Sequence, residues 1–136
     1  SMSLPNTTPV QLGIPRLVTR AALSAANTNR DGTGTIVDLA TFVGAAAVPR
    51  NGGNVRAITV IATTVTTAGM LRVYAHDGTQ YVCIREELVS ALTPSATVKA
   101  FTVTITLNRD FPPGSKLAMS THNAEVFHAI ADVADY

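Results

Sequence analysis

Apolar and polar residues alternate along most of this chain. Between Phe101 and Leu107, Phe101, Val103, Ile105 and Leu107 fall on one side of an extended backbone and Thr102, Thr104 and Thr106 on the other. That period of two is the pattern of a β-strand with one buried face. Similar short Thr/Val/Ala/Ile runs predict eight strands, over 17–26, 34–43, 54–65, 69–76, 80–89, 98–108, 115–121 and 126–133. Turn chemistry separates them, as at Asn29-Arg30-Asp31-Gly32, Thr93-Pro94-Ser95 and Phe111-Pro112-Pro113-Gly114. The sharpest turn signal is Asp77-Gly78, because Asp-Gly between two strand-like runs suits the type I′ turn of a tight hairpin.

Two Ala-rich stretches compete as helices. Leu17–Ala26 holds Val18, Thr19 and Ser24 and leads into an Asn/Gly turn, which favours strand, whereas Thr41–Ala47 is short, lies just before Pro49 and stays open between the two. No repeat of solenoid length and no strand–helix alternation supports a parallel sheet. The expected fold is all-β, an antiparallel two-sheet sandwich of the jelly-roll type. Residues 1–16 stand apart: Pro5, Pro9 and Pro15 oppose helix and favour an extended path. We expect an extended N-terminal arm over 1–16 and a single sandwich domain over 17–136. Leu4, Val10, Leu12 and Ile14 favour an arm that docks across a neighbouring subunit.

Composition narrows the function classes. A chain of 136 residues suits one domain with its own core. Only 14% of the residues are charged, against about 25% in an ordinary soluble domain. The net charge is +1 and the Lys and Arg residues are scattered, so the basic footprint of a nucleic-acid binder is missing and no direct nucleic-acid contact is expected. Cys83 is the only cysteine, which excludes an intrachain disulfide. With no secretory leader and no apolar run near the roughly 20 residues of a membrane helix, the chain is expected to be soluble, unexported and free of the membrane. Ser1 ahead of Met2 reads as a residue left from expression, and Asn6-Thr7-Thr8 as a chance match to a glycosylation sequon.

Candidate chemistry is sparse. Asn27, Asn29, Asp31, Gly32 and Asp38 imitate the oxygen spacing of a calcium loop, but position 1 is Asn, position 12 is Asp instead of Glu, and no amphipathic helix flanks the run. A Gly-rich strand connection is the stronger reading. His76, His122, His128 and Cys83 show none of the short spacings of a zinc site or nucleophile–base pair. Arg85, Glu86 and Glu87 form the densest charged group, and strand alternation turns Glu86 away from its neighbours toward a cross-strand or intersubunit ion pair. Arg72, Tyr74 and His76 share one strand face, read as solvated or in contact with another subunit. Few aromatics and no tryptophan weigh against sugar stacking. No catalytic, cofactor-binding or metal residues are assigned, and no cofactor or enzymatic activity is expected.

The segments Asn27–Gly34, Thr66-Thr67-Ala68-Gly69-Met70, Asp77-Gly78, Thr93-Pro94-Ser95-Ala96-Thr97 and Ser120-Thr121-His122-Asn123-Ala124-Glu125 together resemble a family of small structural proteins of tailed-bacteriophage and prophage virions. The resemblance spans roughly Asn27 to Tyr136. It implies a virion component assembled in the bacterial host cytoplasm. For proteins of this size it implies a capsid decoration or cement protein, a jelly-roll homo-oligomer, most simply a trimer, whose partner is the major capsid protein. The alternative it leaves is a tail, fibre or baseplate component with weak glycan binding.

Overall fold

The computed structural model describes residues 13–44 and 52–136. Eight strands and no helix are found there: β1 Ile14–Leu23, β2 Val37–Thr41, β3 Gly53–Ala62, β4 Gly69–His76, β5 Tyr81–Val89, β6 Thr102–Phe111, β7 Lys116–Thr121 and β8 Phe127–Asp135. They form two antiparallel four-stranded sheets, ordered β1-β8-β3-β6 and β2-β7-β4-β5. The pairs β1·β8, β2·β7, β3·β6 and β4·β5 join first strand to last and inward from both ends, as though one long hairpin had been folded over itself. Every predicted strand has a counterpart; β4 has the expected bounds and the other seven differ at one or both ends.

One shift crosses the expected boundary between arm and domain. Ile14, Pro15 and Arg16, expected in the arm, belong to β1 and pair with Asp135, Ala134 and Val133 of β8. Pro15 is tolerated because β1 lies at a sheet edge, where a missing N–H need not break the ladder. The rest of the expected arm, residues 1–12, lies outside the described residues. Of the open stretch Thr41–Ala47, Thr41 ends β2, residues 42–44 carry no regular structure, and 45–47 are likewise outside the description.

Alternation decides which side chains fill the space between the sheets. Ile58 and Val60 of β3, Ile105 of β6 and Phe127, Ala129, Ala131 and Val133 of β8 meet Leu71 and Val73 of β4 and Leu117 and Met119 of β7 in one core. Phe42 stacks on Phe111 with ring centres 4.9 Å apart, and Phe101 meets Phe127 edge-on at 6.4 Å. Burying each such side chain is worth about 1.5–3 kcal/mol. As the pattern requires, Phe101, Val103, Ile105 and Leu107 face this core, while Thr102, Thr104 and Thr106 are exposed.

The β4–β5 hairpin is present, but its turn differs from the expected type I′. His76 pairs with Tyr81, leaving a four-residue loop over 77–80. Gly78 alone in it takes a positive φ, +103°, whereas a type I′ turn needs two. The Asp77 carboxylate organises the loop, accepting bonds from the N–H groups of Thr79 and Gln80 and from the Thr79 hydroxyl, all at 2.9 Å. These bonds hold its pKa down at about 2, from 3.8. A folded-state pKa below the unfolded one means that the stabilisation is complete above about pH 4 and is lost as the pH falls toward 2. Thermal melts between pH 2 and 5 are expected to show a shallower acid loss in Asp77→Asn than in the native protein, and parallel curves would contradict this role.

Candidate functional site

The densest polar cluster covers the outer face of the second sheet. Arg72 and Tyr74 point away from the core, opposite Leu71 and Val73, yet Arg72 is only 2% exposed and Tyr74 fully buried. From the sequence, this face is expected to be solvated or pressed against another subunit. Instead the chain's own β1–β2 connection, residues 24–36, lies across it as a strap. Ala26 bridges to Thr121 of β7. The Tyr74 hydroxyl donates to Asn29 O at 2.9 Å, and Arg72 Nη1 donates to Asn27 O at 3.3 Å. Burial raises the Tyr74 pKa above its ordinary value.

A β-bulge supplies the partner for Arg72. From His76↔Tyr81 to Tyr74↔Cys83 the hairpin register is regular, but Val73 pairs with Arg85, so Ile84 is an extra residue and Arg72 meets Glu86. Arg72 Nε donates to Glu86 Oε2 at 2.9 Å, and Arg30 of the strap donates to the same oxygen at 3.0 Å. Arg30 first and Arg72 second hold the Glu86 carboxyl below its usual pKa. The expected cross-strand ion pair of Glu86 is therefore within this chain. Arg85 and Glu87 lie on the opposite face and pair with each other at 3.6 Å.

Asn27 is the centre of the strap. It is 5% exposed, its Nδ2 donates to Thr33 O at 3.0 Å and Thr35 O at 2.9 Å, and its Oδ1 accepts Asn29 N–H at 3.0 Å. Gly34, at φ +83°, packs so closely that a Cβ there would lie within 2.8 Å of the Asn27 amide, and Gly32, at φ +90°, would place a Cβ 2.3 Å from Tyr81 O. Side chains are disfavoured at both positions by backbone conformation and by space.

This geometry answers the calcium-like spacing. Carbonyls that would face an ion accept the Asn27 amide instead. Asp31 accepts the N–H and hydroxyl of Thr33, which lowers its pKa. Asp38 turns away to accept Tyr81 OH at 2.7 Å and Lys116 Nζ at 3.3 Å. Among the described residues, no three His, Cys, Asp or Glu side chains are grouped to hold a metal ion. The histidines are dispersed: His76 Nδ1 accepts Gly78 N–H in the hairpin, His122 Nδ1 lies 3.5 Å from Arg72 Nη1, and His128 is exposed on β8 of the other sheet. Cys83 Sγ lies 3.6 Å from Arg85 O. The cluster can fasten the strap to the sheet, and its guanidinium is already committed to protein acceptors.

The first sheet presents a different surface. The register places Thr19, Ile130, Thr59 and Thr104 in one row across β1, β8, β3 and β6, with Ile61 and Thr102 beside it. Leu17 is 67% exposed on the same face. At one end of the face a shallow concavity is lined by Pro15, Leu17, Asn54 and Ala134, beside the Arg56–Asp132 ion pair at 2.7 Å. This face is polar through hydroxyls, with few charges. Comparison with protein-family models and with curated proteins found no match.

Proposed function

We propose that this chain is a non-enzymatic structural protein of a phage virion, a capsid decoration or cement protein that binds the assembled head as a homo-oligomer, most simply a trimer. The observation that carries this reading is the outer face of the first sheet, whose Thr/Ile row from Thr19 to Thr104 carries little charge to desolvate on contact with another protein. The strand order β1-β8-β3-β6 against β2-β7-β4-β5 supports it: we read this two-sheet sandwich as wound in the manner of a jelly roll, a design recurrent in capsid proteins. A cement protein binds the assembled shell more tightly than free subunits and so shifts the equilibrium toward assembly. The partner in this reading is the major capsid protein, and the site of action is the virion, assembled in the host cytoplasm. The test is electron microscopy of intact particles of the encoding phage with the protein gold-labelled. Gold on heads is expected, gold on tails would transfer the protein to the tail or baseplate, and unlabelled particles would overturn both.

A further inference from the structure

The unpaired edge of β6 has an orientation that the hydrogen bonds define. In an antiparallel strand the N–H and C=O of one residue point to the same side and those of the next residue to the other. Phe101 O accepts Ala62 N–H at 2.9 Å, so the odd-numbered residues of this run address β3. Thr106 O accepts Arg85 Nη1 at 3.2 Å from across the open flank, so the even-numbered residues point off the sheet. Thr102 and Thr104 therefore present backbone donors and acceptors where no further strand lies among the described residues. Such an edge is a template for another strand.

We propose that β6 pairs antiparallel with β6 of a second copy of this chain, about a two-fold axis at Thr104. The sequence Thr102-Val103-Thr104-Ile105-Thr106 reads nearly the same in both directions, as an isologous contact requires. In that register Thr104 faces Thr104 of the second copy, Thr102 faces Thr106, Val103 faces Ile105 and Phe101 faces Leu107. Hydroxyls meet hydroxyls on the outer face, and apolar side chains meet apolar ones on the inner. Val103 and Leu107, half-exposed because β6 is an edge, gain a covering neighbour. Arg85 leaves Thr106 O its second lone pair for the incoming N–H. Beyond the paired residues Lys99 and Arg109 bring like charge to both ends of the contact, so association strengthens as salt rises.

The inference deepens the homo-oligomer reading and rests on it. A two-fold contact makes the number of copies even, so it replaces the trimer with a dimer, or with a hexamer where a three-fold contact also forms, and a native mass of three copies would overturn it while leaving the homo-oligomer reading intact. Light scattering on purified protein alone tests it, independently of shell binding. Thr104→Pro removes an N–H that points off the sheet and bonds no strand among the described residues, and is expected to halve the mass while the circular dichroism stays native. If that variant does not fold, Thr104→Lys and Thr104→Glu decide: each alone halves the mass, and an equal mixture restores it. A native protein that is monomeric at high micromolar concentration would overturn the proposal, even if its β6 captures a peptide from another protein. So would a mass unchanged in folded Thr104→Pro or in the Lys and Glu variants.

Discussion

Replacing Arg72 with Ala is expected to cost about 3 kcal/mol of folding stability and to release the strap. The side chain is 2% exposed, so truncation leaves a cavity and deprives Asn27 O of its donor. Glu86 keeps Arg30 as a partner and stays partly in solvent, which places the loss at the lower end of the range for broken buried ion pairs. Arg72→Met, which keeps most of the volume, is expected to lose less. The strap carries Arg30, so trypsin provides a local readout beside the thermal melt: cleavage after Arg30 should accelerate in Arg72→Ala well before global unfolding. An Arg72→Ala variant with native stability and native cleavage would show that the guanidinium does not hold the strap.

The second large effect is expected at Asn27. Asn27→Asp preserves shape and the acceptor for Asn29 N–H, but it removes both donors to Thr33 O and Thr35 O and sets a carboxylate against them. Two orphaned buried carbonyls and a desolvated charge amount to about 3 kcal/mol, or roughly 10 °C in Tm for a domain of this size. The introduced carboxyl has its pKa raised by burial, so the deficit shrinks as the pH falls toward the ordinary carboxylate range and changes no further below it. Millimolar calcium should not restore the melt. A variant as stable as the native protein, or one rescued by calcium, would return the loop to the metal-site reading.

The two sheets differ in how far the sequence reveals them. The Phe101–Leu107 alternation, the Asp77-Gly78 turn signal and the Pro and Gly punctuation mark all eight strands, because each depends on residues adjacent in the chain. The covered face of the second sheet depends on a single displaced residue. Extending the hairpin register from His76↔Tyr81 would pair Arg72 with Arg85, like charge against like. Only the bulge at Ile84 brings Glu86 opposite Arg72, and such a bulge has no reliable signature in a single sequence. The oxygen-rich spacing from Asn27 to Asp38 is plain in the sequence, but oxygen counting omits the donors of Asn27, which reverse the role of the loop. Its position over Arg72 and Tyr74 follows from tertiary packing across long sequence separations.

Together these contacts describe a sandwich with one outer face closed by its own chain and the other, among the described residues, uncovered, Thr-rich and nearly neutral. In the proposed reading, the Thr-rich face and the β6 edge are the surfaces that meet other proteins. On that reading, the protein should distinguish a finished shell from its parts. The most direct test is gradient sedimentation of the purified protein with assembled heads of the encoding phage and, separately, with unassembled major capsid protein. The account predicts saturable co-sedimentation with heads and none with free subunits, whereas equal binding to both, or binding to neither, would contradict it.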